Sequence, residues 1–359
     1  MSSMNNCNKT KKIKIMNKGN KYGTHRVIEP KGTLPQPAVK IDNTMEIYDN
    51  EMLIDVQTLN IDSASFTQVK GACGADAEKM KEMIMSIVGE RGKMQNPVTG
   101  SGGMLIGTVK ALGPNFADKT VKVGDKIATL VSLSLTPLVI DEITNLDPAS
   151  DQVDIKGQAI LFETGLFAIL PEDINERLAL SALDVAGAPA QVDRLVKKDD
   201  SVCIIGGGGK SGMLCCYQAM KNAGPNGKVI VVEYSKENAQ RILDMGLATD
   251  VIIADATDVI NVYNKVTEIV GEDGCDIVIN NVNVPNTEMT SILITKDRGM
   301  IYFFSMATSF TKAALGAEGV GKDIDLIMGN GYAAGHADLT LQILRESKTV
   351  RAMFEKLYV

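Results

Sequence analysis

Directly after the apolar run Ser201–Ile205 the chain reads Gly206-Gly207-Gly208-Gly209-Lys210-Ser211-Gly212, and a helical pattern, MLCCYQAM, follows. Glycines between a strand and a helix let the backbone turn sharply. They bring its N–H groups, with the positive end of the helix, against a diphosphate. A second apolar run ends at Glu233, 21 residues after Gly212. A carboxylate there accepts hydrogen bonds from an adenine-ribose diol and repels a 2′-phosphate. Strand, loop, helix and distant acid together point to a dinucleotide rather than a glycine-rich turn with a structural glutamate. The expected contacts are Gly206, Gly208, Gly209, Lys210, Ser211, Gly212, Glu233 and Tyr234. The last glycine falls at Gly212, one residue later than the strict G-x-G-x-x-G pattern, so helix–strand packing is expected to differ locally. The internal Gly-Lys-Ser suggests a triphosphate loop, but that motif needs glycine where Ile204 stands. Lys236 can partly tolerate a 2′-phosphate, so NAD is expected and NADP is possible.

The other reactive residue types are sparse. Cys7, Cys73, Cys203, Cys215, Cys216 and Cys275 form no C-x-x-C pair, and His25 and His336 are the only histidines. Neither an imidazole-rich nor a cysteine-rich zinc site can be built from that inventory, so no metal is expected. With 4% aromatic residues, no Trp and a formal charge of −7, the chain lacks the stacking surface and basic field of a nucleic-acid binder. Nor does that charge suit an anionic membrane. No run approaches the ~18 apolar residues of a membrane span, and no secretory signal is visible. A cytoplasmic protein is expected.

These residues need elements to hold them. The first twenty residues carry lysines and no acid and read as a solvated tail. YGTHRVIEPKGTLPQPAVKIDN then has too many prolines and glycines for a regular helix or a central strand. Between Met45 and about Leu170, short runs alternate or are β-branched: EMLIDVQTLN, MLIGTVKALG, DKIATLVSLS and QAILFETGLFAIL. One helix interrupts them, with Met80, Met83, Ile84 and Ile87 at amphipathic spacing. In the second half, strand-like runs recur at 201–205, 228–232, 251–253, 276–279, 300–304 and 325–328, with helical patterns between them. That rhythm predicts βαβ units and a six-stranded parallel sheet.

A β-rich domain followed by such a sheet resembles the medium-chain alcohol dehydrogenase superfamily. The stretch GSGGMLIGTVKALGPNFADKTVKVGDKIATL (100–130) strengthens the resemblance, which covers about residues 45–359. It implies an α/β protein with a GroES-like β-rich catalytic domain (21–182 and 331–359) and a six-stranded parallel Rossmann domain (183–330), after a disordered tail (1–20). Carrying the superfamily's catalytic zinc ligands onto matching positions gives Asp62, Gly103 and Ser181. That set cannot hold a tetrahedral zinc, which implies a zinc-free branch with another substrate. YGTHRVIEPKGTLPQPAVKIDN, VTGSGGMLIGTVKALGP, IIGGGGKSGML and NGYAAGHADLTLQILRE are similar to segments of the L-erythro-3,5-diaminohexanoate dehydrogenase family of bacterial lysine fermentation. This resemblance spans about residues 20–359. It implies NAD(P)-dependent oxidative deamination at C3, giving 5-amino-3-oxohexanoate and ammonia.

A small diamino acid substrate brings two amines and a carboxylate, so its pocket should hold acids and a fixed cation. Asp62, beside Ser63 and Ser65, is the first expected grip on an amine, against a plain turn cap. Glu163 is a second, against a solvated strand-end acid. Histidine is the side chain that ordinarily exchanges its proton near neutral pH, so His25 can serve as a base. Arg26 can clamp a carboxylate through two parallel hydrogen bonds. For His25 the alternative is a structural role in an irregular segment, for Arg26 a surface salt bridge, and His336 is expected to cap or pack. From the superfamily, nicotinamide contacts are implied at Asn281 and Val282, then Phe304, Ser305 and Met306. The buried pair Asn280 and Asn281 needs polar partners. The superfamily also implies a homodimer or homotetramer joined through the last strand of the nucleotide sheet. Two other readings stay open: a zinc-free quinone or enoyl reductase, and a non-catalytic dinucleotide-binding protein.

Overall fold

The computed structural model describes residues 16–329 and 331–359 and divides after Ile169 into two units. In the first, β1 (Val27–Glu29) and β2 (Lys40–Ile41) form a small antiparallel ribbon within the proline-rich segment. There follow β3 (Met52–Ile61), α1 (Ser63–Ala72), α2 (Ala77–Arg91), β4 (Gly103–Leu112), β5 (Lys126–Thr129), β6 (Leu138–Leu146), β7 (Gln152–Leu161) and β8 (Phe167–Ile169). Six of these strands make an antiparallel sheet in the order β6-β7-β3-β4-β5-β8. Its core joins the inward faces of the strands to Met80, Ile84 and Ile87 of α2.

One irregularity in β3 decides what faces where. Ile54 and Val56 point into the core, the register shifts between Val56 and Thr58, and Leu59 and Ile61 point inward afterwards. A bulge flips the alternation. Asn60, and Asp62 just past the strand, therefore share the opposite face.

The second unit begins with α3 (Glu176–Leu183) and α4 (Gly187–Leu195). It continues through β9 (Ser201–Ile205), α5 (Lys210–Ala223), β10 (Lys228–Glu233), α6 (Lys236–Asp244), β11 (Asp250–Ile253), α7 (Val259–Val270), β12 (Cys275–Asn280), α8 (Glu288–Leu293), β13 (Thr295–Phe303), α9 (Phe310–Gly319) and β14 (Asp325–Met328). The chain closes with α10 (His336–Glu346) and α11 (Lys348–Tyr358). All six strands pair in parallel, in the order β11-β10-β9-β12-β13-β14. The order reverses direction between β9 and β12, the crevice where such sheets hold ligands.

Three expectations about boundaries change. The closing helices, expected with the β-rich domain, group with the second unit and pack on α3, α4 and α5. Arg345 clamps Asp173 with two bonds of 2.8 and 3.0 Å, and the apolar side of α10 buries Leu341 and Leu344. Residues 170–182 go with them, so the second unit starts at Leu170. Within the stretch 1–20 expected as a tail, Asn17, Gly19 and Asn20 are docked. Asn17 accepts from the Asp49 amide at 3.0 Å, and Gly19 donates to the Asp49 carboxylate at 3.0 Å. Residues 1–15, Cys7 among them, lie outside the described residues. Among the described residues no helix is long and apolar enough to cross a membrane.

Candidate functional site

The glycine loop leaves β9 with Gly206 at φ +84°, a conformation that favours glycine, and a Cβ there would meet Val282 at 2.4 Å. Gly212 is where α5 comes closest to the loop: a Cβ would lie 2.1 Å from the Gly206 carbonyl oxygen. The glycine that comes one residue late thus does the packing, and Ser211 occupies an ordinary first-turn position. Gly209 differs from both. It is the N-cap of α5, its φ is −84°, no side chain caps the helix, and nothing lies within 4 Å of an added Cβ. First-turn N–H groups above an open cradle fit a diphosphate.

Glu233 braces this loop from the end of β10. It is buried, and one carboxylate oxygen accepts from the Gly208 amide at 2.9 Å. The other accepts from the amides of Tyr234 at 3.1 Å and Ser235 at 3.2 Å. Two oxygens have about four acceptor sites, so one remains for a ribose hydroxyl. The Tyr234 ring is exposed beside it. The Lys210 side chain runs the other way, its ammonium 3.7 Å from Asp184 and over the Tyr358 ring. Lys210 therefore offers the loop its backbone.

Across the crevice, the ends of β12 and β13 hold the other expected contacts. Asn280 is fully buried and satisfied internally: it donates to Thr287 and Ser291 at 2.9 and 3.0 Å and accepts from the Val282 amide at 3.3 Å. Its carbonyl receives the amides of Phe304 and Ser305. The Ser305 hydroxyl caps the Ala307 amide, and Met306 is exposed. Asn281 differs from its neighbour: its carboxamide is buried with no nitrogen or oxygen partner, and the Cys215 thiol is the group it interacts with. The Cys215 thiol beside it is pushed up to about 12 by burial, opposed by Asn281.

In the first unit, Asp62 caps α1. One carboxylate oxygen accepts from the Ser65 amide at 3.0 Å, and Oδ2 is buried with no partner. The Ser65 hydroxyl is engaged with those of Thr99 (2.6 Å) and Ser101 (2.9 Å). Gly103, the carried-over histidine position, has φ +107°, and a Cβ would lie 1.9 Å from the Asn60 carbonyl oxygen. Backbone packing thus admits no ligating side chain there. Ser181 lies in α3, its hydroxyl directed at the carbonyls of Arg177 and Tyr358. Among the described residues no three His, Cys, Asp or Glu side chains gather to hold a metal.

His25, Arg26 and Glu163 come together elsewhere. Arg26 grips Glu51 with two 2.7 Å bonds, and its other donors reach carbonyls of Asp42, Thr44 and Glu46. All five N–H donors are consumed in a buried setting, which leaves none to clamp a substrate carboxylate. The His25 Nδ1 accepts from the Asn20 amide at 2.9 Å, so Nε2–H donates to Glu51 at 2.8 Å. With both nitrogens engaged, His25 has no free lone pair to act as a base. Glu163 accepts from Asn50 at 2.8 Å. This cluster fastens the segment from Asn17 to Glu46 to the start of β3, whereas Asp62 follows its end, roughly 30 Å away at about 3.3 Å per residue. One pocket cannot hold both groups. Glu51 and Asn60 went unread in the sequence because both sit within the strand run EMLIDVQTLN.

Among solved structures, the chain is similar to a mycobacterial protein complexed with NADPH: TM-score 0.57, 17% identity, 89% of this chain and 91% of that one. It also resembles the CurK enoyl reductase (TM-score 0.55, 14% identity, 86% and 87%) and an alcohol dehydrogenase from Thermotoga maritima (0.54, 13%, 86% and 85%). The fold is that of the medium-chain dehydrogenases and reductases. Residues 25–171 match the family described as L-erythro-3,5-diaminohexanoate dehydrogenase N-terminal domain. L-erythro-3,5-diaminohexanoate dehydrogenase of Acetoanaerobium sticklandii is 62% identical over 345 residues, 95% of this chain and all of the relative. That of Fusobacterium nucleatum is 62% identical over 348 residues, 96% of this chain and again all of the relative. The chain belongs to the L-erythro-3,5-diaminohexanoate dehydrogenase family.

Proposed function

We propose that this chain catalyses nicotinamide-linked oxidative deamination of L-erythro-3,5-diaminohexanoate to 5-amino-3-oxohexanoate and ammonia, as a step of lysine fermentation in the cytoplasm. Near-full-length identity to two relatives of that name carries the reading. Hydride leaves C3 only when the nitrogen lone pair pushes it, so the C3 amine must be neutral. An alkylammonium ordinarily holds its proton up to pH ~10, so the site must favour the free amine. As the C3–H bond breaks, a C=N bond forms; water then adds at C3 and the C–N bond breaks, giving ketone and ammonium. Bound coenzyme supplies the hydride acceptor. The α5 N-terminus and the Gly209 cradle would hold its diphosphate, Glu233 its ribose, and Asn281 and Val282 would flank the nicotinamide. Asp62 Oδ2 would take an amine.

NAD is the proposed coenzyme, because a 2′-phosphate would sit against the buried Glu233 carboxylate. Glu233→Ala should therefore lower the NAD-over-NADP ratio of kcat/KM about tenfold, a change of ~1.4 kcal/mol. An unchanged ratio would remove Glu233 from coenzyme selection. The same reading joins copies through β14, which among the described residues is paired with β13 alone and carries exposed Met328. Light scattering should give two or four times the 38.5 kDa chain mass, and a mass of one chain would contradict it.

The reaction itself is tested by incubating the protein with NAD and the diamino acid. Reduced nicotinamide and ammonia should appear in equal amounts. Turnover of an enone or quinone with no ammonia from the diamine would overturn the assignment.

A further inference from the structure

Asn60 is a polar residue that the proposed reaction has not yet used. It lies one residue before the end of β3, it is fully buried, and both its carboxamide oxygen and its nitrogen lack a hydrogen-bond partner. A buried carboxamide in that state forfeits two strong interactions, which native interiors rarely tolerate without a reason. Two residues on, Asp62 Oδ2 is in the same condition. Asp62 follows Ile61, the last paired residue of β3, with φ −56° and ψ 148°. Ile61 between them points into the core, which leaves Asn60 and Asp62 on the side away from it. Met104 of β4 and Gln152 of β7 are paired with Asn60 on either side. The strand end therefore holds, two residues apart, one buried donor and two buried acceptors with no hydrogen-bond partner.

We propose that Asn60 and Asp62 form a three-point subsite that reads the substrate's carboxylate, C3 amine and C5 amine separately. The inference rests on the deamination reading above. In a 3,5-diamino acid the carboxylate and the C3 nitrogen are neighbours on a β-amino acid, and a carboxamide offers a donor and an acceptor side by side to match them. Asn60 Nδ2 donates to the carboxylate, and Asn60 Oδ1 accepts an N–H of the C3 amine. Asp62 Oδ2 accepts from the C5 ammonium, two carbons further along. That span is of the same order as the rise of two residues, about 6.6 Å.

The assignment follows from charge. A carboxylate beside an amine favours the ammonium form, whereas a neutral carboxamide does not. The nitrogen that must lose its proton is thus the one set against Asn60, and the spectator amine, which stays charged, is set against Asp62. Asn60 is here a binding and positioning residue, since no bond to it forms or breaks.

The test compares 3,5-diaminohexanoate with 3-aminohexanoate, which lacks the C5 amine, in the wild type and in Asp62→Asn, Asn60→Leu and Asn60→Asp. Binding of reduced coenzyme serves as the check on folding. Wild type should prefer the diamine in kcat/KM by about a hundredfold, the worth of one charge-assisted bond. Asp62→Asn should collapse that preference to near unity. Asn60→Leu should slow both amines about tenfold or more and keep the preference. Asn60→Asp should displace the pH–rate profile towards alkaline pH, because the new carboxylate holds a proton on the C3 amine. Loss of both amines in equal measure in Asp62→Asn, or unaltered kinetics and pH profile in the Asn60 variants, would overturn the subsite. A wild type that turns over neither amine would overturn the deamination reading, and the subsite with it.

Discussion

Glu51 receives the Arg26 guanidinium, the His25 Nε2–H and the Tyr48 amide on a single buried carboxylate. Burial raises its proton affinity, but the bonds from Arg26 and His25 and the Arg26 charge outweigh that, and its carboxyl sits below the usual glutamate range. A depressed carboxylate stabilises the fold above the unfolded-state pKa, and that stability is lost as pH falls through the lower folded-state value. Glu51→Gln should therefore destabilise the protein by about 3 kcal/mol at neutral pH, since it leaves Arg26 buried without its anion. The deficit should start to shrink as pH falls past the ordinary glutamate value of about 4.3 and be lost only below the still lower value of the folded carboxyl. Denaturant melts of both proteins at neutral and acid pH check this, and a pH-independent difference would contradict it. His25 and Arg26 were legible as unusual residues in the sequence, but their use was not. An arginine that meets a buried glutamate 25 positions away reads no differently from one that meets a substrate. Asp62 was legible for the opposite reason: its place at a strand end before Ser-x-Ser marked either a cap or a ligand, and the structure shows one oxygen capping and the other unengaged.

At the scale of elements, periodicity was informative wherever a face is buried evenly. The six strands of the parallel sheet lie within a few residues of the predicted runs, because β9, β10 and β12 in its middle are apolar and largely buried and the shorter apolar runs of β11, β13 and β14 flank them. By contrast, α1 was missed: SASFTQVKGA buries only Ser65, Phe66 and Val69, too little for a helical stripe. β6 was missed as well, since its outer half, Asp141 to Asn145, is largely exposed. The proline-rich segment is held by a contact that no local pattern encodes. Lys93, past the end of α2 and fully buried, donates to the carbonyls of Pro35 at 2.7 Å and Gln36 at 3.0 Å. Burial, with a smaller contribution from Arg91, draws its ammonium down to about 8. In the unfolded chain a lysine keeps its proton to about 10.4, so between these values the unfolded state binds more protons and stability rises with pH. The stability of wild type relative to Lys93→Met should accordingly increase from pH 7.5 to pH 10. A flat difference in paired denaturant titrations would show that Lys93 is not the group responsible.

Across the whole molecule, the departures from expectation are of one kind. Local strand and helix signals, and the glycine loop, survive into three dimensions. Assignments that depended on which distant segments meet do not: the closing helices join the second unit, and His25, Arg26 and Glu163 gather at the far end of β3 from Asp62. The redox reading depends on the loop, so Gly209 gives its sharpest test. Nothing occupies the space around Gly209, its φ is one any residue adopts, and it is the N-cap of a 14-residue helix. Aspartate there should fold well and strengthen the cap by a few tenths of a kcal/mol. It should also set a negative charge where the coenzyme's diphosphate needs room and helix N–H groups. Titration of reduced coenzyme into wild type and Gly209→Asp, with thermal melts alongside, should show one site per chain in the wild type. In the variant, affinity should fall about a hundredfold or more at an unchanged or slightly raised melting temperature. Equal affinity in the two proteins would mean that the loop does not carry the coenzyme.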